Sequence, residues 1–594
     1  MNNLVSKVLS NDILYILSKR SKLIKELSLK QNLLNKKIAI LSGTSSQEIC
    51  NFLNLFLLDK NFKCDFYESE FGKIFEEAVF DNKALQEFKP DIIYLYFTFF
   101  DIREAPDLRD SNDEIEEKFN LFISRFNQII SSLKEKYCAQ IIVANIPYPP
   151  YRKLGNLDSY SSNGTTCFVM RLNNYIAEYC SKEQVILHDL NYLSAQIGLD
   201  NYYDLKQWNM FRFAQSQKAT MHISYNLSSL IASIFGKQKK LLITDLDNTL
   251  WGGVIGDDGV DKIHIGYDTP KGEIFSLFQE YIMSLYVRGV VLAICSKNDI
   301  ENALLGLSRG ENLLKKDDFA VIEANWDNKD SNIQHILNTL SLGADGAVFV
   351  DDNPIERDLV KKSLDSISIV DENNIYKFIS YIDKAGFFEP ISISKEDFKR
   401  NEMYKANIKR NIQKSTFANY NEYLKSLDTV LTIGFIGEKQ KQRCCQLINK
   451  TNQFNLTGKR FSEAEFESFL INKDNISLYG KVTDKYGDSG LISVILATID
   501  SNSAVIECNL MSCRVLKRNI EYGMMDCLVN ICKARNIKEI IARYIKTDRN
   551  AMVKNLYSDF GFSVIVSSEE EILFKLRVND YITKSYNLKI KGDF

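Results

Sequence analysis

At 594 residues the chain is too long for one hydrophobic core, and at about 100 to 200 residues per domain it predicts three or four. A composition 45% hydrophobic and 25% charged is that of a globular protein, and a net charge of -3 gives no electrostatic footing for nucleic acid or an anionic membrane. No apolar segment reaches the roughly eighteen residues of a membrane span, and the opening run Met1 to Ser10 lacks signal-peptide character. Twelve scattered cysteines without paired spacing predict buried free thiols in a reducing cytoplasm.

Residues 1–30 read as a helical lead. An alternating α/β region follows at 31–236, with strands expected at Lys37–Leu41, Asp91–Tyr96, Gln140–Asn145 and Gln184–Leu187. Ser42, Ser45 and Ser46 follow the first strand, where they serve equally well as helix starts, and His188-Asp189 closes the last. From Lys37 to Thr220 the region resembles an SGNH-hydrolase-like domain of flavodoxin-like α/β fold. Such hydrolases use an Asp-x-x-His pair, and the reversed His188-Asp189 order implies a noncatalytic docking role here.

The run Leu241 to Leu250 is an apolar strand ending in two aspartates two apart. Asp245, Asp247 and Thr249 are thereby placed at a strand's carboxyl end, where open α/β sheets bind ligands. Two carboxylates held close repel each other, so the pair makes sense mainly with a hard cation such as Mg2+. A second apolar run, Gly289 to Cys295, ends in Ser296-Lys297-Asn298-Asp299, whose hydroxyl and backbone amides suit a phosphoryl oxygen. Lys329 precedes an amphipathic stretch and offers a fixed positive charge. A third run, Gly346 to Val350, ends in Asp351-Asp352.

These four pieces, in this order, resemble the haloacid dehalogenase (HAD) superfamily of aspartate-nucleophile phosphotransferases. The resemblance implies that Asp245 attacks phosphorus and that Asp247 protonates the leaving group and then activates water. It assigns Thr249, Ser296, Lys297 and Lys329 to phosphate binding, and Asp245, Asp247, Asp351 and Asp352 to Mg2+. About fifty residues separate Asp245 from Ser296 and about thirty separate Ser296 from Lys329, too few for an inserted lid domain. The HAD-like domain, 237–400 with its helical linker Asp365–Asn401, is therefore expected to be capless and open, which suits a phosphate presented on a larger partner.

The last region, 401–594, is expected to begin with an amphipathic helix over Ile408–Leu427 and a strand over Thr429–Phe435, and to include a helix over Ala551–Phe562. Its order of parts, with Leu556-Tyr-Ser-Asp-Phe-Gly-Phe562, resembles a GNAT acyltransferase of α+β fold. Arg514-Val-Leu-Lys-Arg-Asn519 stands where such proteins carry the Arg/Gln-x-x-Gly-x-Gly/Ala pyrophosphate loop. Lysine and asparagine replace the glycines that permit close backbone approach, leaving Lys517 and Arg518 either to contact phosphate through side chains or to be solvated.

Taken together the chain resembles the FkbH-like proteins, a HAD-IIIC phosphatase domain between SGNH-like and GNAT-like domains. The resemblance is carried by Asp245-Leu-Asp-Asn-Thr-Leu-Trp-Gly-Gly-Val-Ile-Gly256, Cys295 to Asp299, Val350 to Pro354, Lys450-Thr-Asn-Gln-Phe-Asn-Leu456 and Leu510-Met-Ser-Cys-Arg-Val515. It implies acyl transfer from 1,3-bisphosphoglycerate to a thiol and then to the phosphopantetheine of an acyl carrier protein, with loss of the remaining phosphate. Cys513, beside Arg514, Lys517 and Arg518, is the first thiol candidate and Cys295 the second, since neighbouring cations favour a thiolate. Asn452, Gln453 and Asn455, with Arg514, either orient an acyl or pantetheine group or satisfy a buried loop. The alternatives are a phosphatase–acyltransferase fusion in surface-polysaccharide or natural-product assembly, and a carrier-docking scaffold without activity.

Overall fold

Near-continuous apolar runs cannot face water on either side, so they become the inner strands of parallel sheets covered on both faces. The computed structural model describes residues 4–593 except Ser415, Asn452, Asp548 and Ser585, with no side chain described at Cys513 and Asp593. Two compact units result, one of residues up to Ile234 with Ser462–Ser468, the other of the remaining described chain.

In the first unit β1 (Leu34–Ser42), β2 (Phe62–Glu68), β3 (Ile92–Tyr96), β4 (Gln140–Ala144) and β5 (Ile186–His188) form an all-parallel sheet in the order β2-β1-β3-β4-β5. Every residue of β3 and β4 is buried. The sequence reading has no strand at β2, because Phe62-Lys-Cys-Asp-Phe-Tyr-Glu68 is charged and half exposed, as befits the sheet's edge. The leading helices Leu4–Leu9 and Ile13–Ser28 bury Leu4, Val8, Ile16 and Leu23 against Phe52, Phe56 and Tyr225.

The second unit holds two sheets. β6 (Leu241–Thr244), β7 (Val291–Ser296), β8 (Phe319–Ala324), β9 (Ala347–Val350) and β10 (Ser368–Ile369) are parallel, in the order β10-β9-β6-β7-β8. β6, β7 and β9 are buried along their whole lengths. Between β6 and β7 lie only the turn Ile255–Asp258 and the helix Pro270–Val287, so this α/β domain is capless.

The other sheet runs β16-β17-β15-β14-β13-β12-β11-β18 through β11 (Val430–Phe435), β12 (Ile476–Asp484), β13 (Gly487–Asp500), β14 (Ser503–Met511), β15 (Glu539–Ile545), β16 (Ser563–Ser567), β17 (Glu571–Arg577) and β18 (Lys589–Asp593). Its neighbours are antiparallel except β14–β15 and β11–β18. The helix Ile520–Ala534 makes the crossover that a parallel β14–β15 pair requires, and it buries Ile520, Met524, Met525 and Leu528. This is the α+β arrangement of a GNAT-like fold.

Three sequence expectations change here. The helix expected over Ile408–Leu427 is two, Arg400–Lys414 and Tyr420–Ser426, the second started by Asn419, whose side chain accepts from the Asn421 amide at 2.9 Å. Ala551–Phe562 contains two single turns, Ala551–Val553 and Leu556–Asp559, after which Gly561 at φ 91° redirects the chain. In the linker the helical content is mainly Ile375–Lys384, with β10 lying before it.

Candidate active site

β6 and β9 are adjacent and in register at Thr244 and Val350, so the residues that follow them, Asp245 and Asp351, meet at the sheet's carboxyl edge. The Asp245 amide donates to the Val350 carbonyl at 3.0 Å, carrying the ladder one step past β6. Lys329 opens the helix Lys329–Leu340 and is only 2% exposed. Its Nζ lies 2.8 Å from Asp245 Oδ2 and 2.6 Å from Asp351 Oδ2. Carboxylate oxygens of Asp245, Asp351 and Asp352 all lie within 4.8 Å of one another.

The electrostatics follow from burial and proximity. Burial, then the Asp245 charge, pushes Asp351 up to about 6 and raises Asp352. Burial opposes the Lys329 charge, but Asp245 and Asp351 outweigh it and hold the ammonium above the usual lysine range. Three carboxylates against one lysine leave an anionic set of hard oxygens, which fits Mg2+ or a similar divalent cation.

Asp247 lies outside that cluster. Its Oδ1 accepts from Trp251 Nε1 at 2.8 Å and from the Ile255 amide at 3.1 Å, and its Oδ2 accepts from Asn298 Nδ2 at 3.0 Å. Burial raises its pKa despite these donors. Asn248, at φ 53°, turns the chain between the acids and Thr249, and its side chain accepts from the Gly253 amide at 2.9 Å. Asparagine tolerates that left-handed position better than most side chains.

Thr249 is fully buried, and its hydroxyl has no hydrogen-bond partner among the described residues. Ser296 is buried at the end of β7. Lys297 is turned to Glu356, 2.8 Å away. Three residues without an assigned role in the sequence reading shape this centre: Trp251 and Asn298, which hold Asp247, and Arg357. The last is 4% exposed and donates to the carbonyls of Asp351 and Asp352 at 2.7 and 3.0 Å, fixing the loop that carries both acids.

The candidates elsewhere in the chain are placed differently. Cys295 is wholly buried, and burial pushes its thiol well above the usual range. The Cys513 side chain and Asn452 lie outside the described residues. Asn455 is fully buried, with Oδ1 accepting from the amides of Thr457 at 3.3 Å and Gly458 at 2.9 Å, so its side chain serves a loop. Gln453 and Arg514 line a cavity. Lys517 and Asn519, at φ 63° and 64°, adopt left-handed backbone although neither is glycine. Arg518 is neither solvated nor turned to solvent as a phosphate contact, because it is buried 3.0 Å from Asp484.

In the first unit the serines after β1 are engaged locally. Ser42 Oγ donates to the Thr44 carbonyl at 2.8 Å, Ser45 Oγ to the Phe211 carbonyl at 2.9 Å, and Ser46 Oγ to Glu68 at 2.8 Å. His188 is fully buried with Nδ1 2.9 Å from the Tyr94 hydroxyl, and burial lowers its pKa to about 3. A histidine so desolvated is a poor general base near neutral pH.

Fold and site together define a multidomain α/β protein with a capless parallel-sheet domain built around a carboxylate–lysine centre of the phosphoryl-transfer kind. No sequence-family profile matches the chain. No curated protein matches it. Among solved structures it is similar to the N-terminal part of BF1531 from Bacteroides fragilis, which contains a phosphatase domain and was solved with Mg. Identity is 28% and the TM-score 0.57, over 63% of this chain and 99% of that one. Looser likenesses are the ribosomal-protein-S18-alanine N-acetyltransferase of Escherichia coli (11% identity, TM-score 0.21, 26% of this chain and 99% of that one) and a GNAT-family acetyltransferase of Staphylococcus aureus (14%, 0.21, 25% and 99%). Superpositions this loose have no bearing on activity.

Proposed function

We propose that the chain is a Mg2+-dependent phosphatase fused to an acyltransferase-type domain, and that it removes phosphate from a small phosphorylated acyl unit destined for an acyl carrier protein. The observation that carries this reading is the burial of Lys329 between Asp245 and Asp351 at the edge where β6 and β9 end. A buried set of acids and a lysine does little for stability that a wholly apolar set would not do better, but it serves a reaction in which negative charge arrives and leaves.

In the proposed reaction an Asp245 carboxylate oxygen forms a bond to phosphorus as the bond from phosphorus to the substrate oxygen breaks. Asp247, whose pKa is raised by burial, gives a proton to the departing oxygen. The resulting aspartyl phosphate is hydrolysed by a water whose proton Asp247 takes back, which restores both acids. Trp251 and Asn298 hold the two oxygens of Asp247 in the orientation needed for both transfers. The Thr249 hydroxyl, buried without a hydrogen-bond partner among the described residues, and the buried Ser296 hydroxyl would donate to phosphoryl oxygens. Asp245, Asp351 and Asp352 would hold Mg2+, which supplies neutralisation of the phosphoryl charge.

The phosphoglyceryl unit, its transfer from 1,3-bisphosphoglycerate and the cytoplasmic setting are part of the proposal. The acyl relay is assigned to Cys513 rather than Cys295, because burial disfavours the Cys295 thiolate. Intact-mass spectrometry with Mg2+, 1,3-bisphosphoglycerate and a phosphopantetheinylated carrier tests it. A glyceryl or phosphoglyceryl adduct on the enzyme that passes to the carrier and is absent from Cys513→Ser is the expected result. Phosphate release with no adduct reduces the function to a phosphatase.

A further inference from the structure

The amino-terminal ends of β6 and β9, opposite the edge that carries Asp245, border a second site. There the parallel-sheet domain and the GNAT-like domain line a cavity that is open to solvent at its mouth. Lys240, Arg400, Arg443, Lys450, Arg514 and Arg549 all line it. The two domains meet here with little slack. Gly236 is at φ 68° against the Asn449 carbonyl, where a Cβ would come within 2.1 Å, so the cavity is built into the packing.

Among the described residues its cations outnumber the acids that pair with them. Asp345 pairs with Arg549 at 2.6 Å, and Asp397 with Arg400 and, at 3.8 Å, with Lys450. Arg443 and Arg514 make no ion pair among the described residues. Arg443 is 8% exposed, donates from Nη1 to Gln446 at 3.3 Å, and has no partner there for its Nε. Burial, followed by the neighbouring Arg400, Arg443, Lys240 and Arg514, pushes Lys450 well below the lysine range. Burial and adjacent cations lower Arg400 and Arg443 to about 10. Buried cations are normally paired, and a cluster left with excess positive charge and an orphaned guanidinium donor is a receptor for an anion.

We propose that this cavity is a phosphate-binding site separate from the Asp245 centre, and that its ligand is a small organic phosphate. The guanidinium forks of Arg443 and Arg514 match phosphoryl oxygens, and Lys450 adds a point charge. The lining of the cavity extends beyond these cations, which suits a small molecule better than a bare anion. Leu342, Tyr404, Leu447 and Gln453 offer its organic part apolar and neutral polar contact. A free phosphorylated metabolite and the phosphate-bearing arm of a carrier or cofactor share this chemistry. The inference does not depend on the proposed reaction at Asp245.

The test is calorimetric titration of the full chain carrying Asp245→Asn, which blocks turnover, with 3-phosphoglycerate, pantetheine 4'-phosphate and inorganic pyrophosphate in turn. One equivalent of at least one organic phosphate is expected to bind, with affinity falling at least about tenfold in Arg443→Gln and in Lys450→Met. Binding of the first ligand alone assigns the source to a metabolite, and of the second alone to a carrier arm. Melting of the same proteins guards against misfolding. Removing a like charge leaves the ligand-free variants as stable as the parent or more so, and the ligand raises the melting temperature of the parent alone. Absence of saturable organic-phosphate binding, binding of pyrophosphate only, or binding unchanged by both substitutions overturns the proposal.

Discussion

The chain contains two five-stranded parallel sheets, each with polar residues where its first strand ends, and they have come to opposite chemical outcomes. After β1 each hydroxyl is spent locally, Ser42 on Thr44, Ser45 on Phe211 and Ser46 on Glu68, while His188 is buried beside Tyr94. After β6 the groups converge without cancelling: three carboxylates and one lysine are packed together, and the buried Thr249 hydroxyl has no partner among the described residues. A parallel sheet supplies an edge, but a site appears only where the edge gathers charge that the protein itself does not neutralise.

Substitutions that break this contrast are ranked by expected effect. Asp245→Asn removes the proposed nucleophile and is expected to lower phosphate release by about a thousandfold or more, measured as kcat with a phosphomonoester. Lys329→Met leaves Asp245 and Asp351 facing each other without a cation. It costs about 3 to 5 kcal/mol of stability in the absence of metal and about a hundredfold in rate, and added Mg2+ restores part of the melting temperature. Trp251→Phe removes one donor from Asp247 and lowers kcat by about tenfold while KM changes little.

A smaller effect is a pH dependence of stability without metal. Asp351 is pushed up to about 6 in the folded chain against an ordinary 3.8, so the folded state binds its proton more tightly than the unfolded state. The stabilisation from that proton is present below about pH 4 and lost as pH rises through about 6. The melting temperature of the wild type is therefore expected to fall relative to Asp351→Asn across that window, and saturating Mg2+ abolishes the divergence. Smallest of all, Ser42→Ala should change phosphate release by less than about twofold, because among the described residues the Ser42 side chain bonds only to Thr44 and to no histidine that could act as its base. A large loss would show that the first sheet takes part in the chemistry.

What the sequence made legible was local. Asp245, Asp247, Ser296, Lys329, Asp351 and Asp352 each stand at the end of an apolar strand or at a helix start, so pattern alone located them. β2 escaped because an edge strand is half polar, and the break between Arg400–Lys414 and Tyr420–Ser426 escaped because the periodicity continues across it. The supports of the site were hidden for another reason. Nothing near Arg357 in sequence indicates that its guanidinium braces the carbonyls of Asp351 and Asp352, and Trp251 and Asn298 approach Asp247 from different segments. The loop Arg514–Asn519 gives the converse case: glycine was absent from the sequence, yet Lys517 and Asn519 still take the left-handed turn. The cation cavity assembles residues from six separate stretches, so no single motif announces it, although Lys450 and Arg514 belong to runs that the sequence singles out.

The most direct test of the central claim is chemical trapping of the acid that attacks phosphorus. Enzyme turning over a phosphomonoester with Mg2+ is quenched in acid, reduced with borohydride and digested, and its peptides are analysed by mass spectrometry. An aspartyl phosphate at Asp245 is predicted to appear as homoserine at position 245, and to be absent from Asp245→Asn and from enzyme without substrate. Phosphate release with an unmodified Asp245, or with homoserine at another aspartate, would contradict the account.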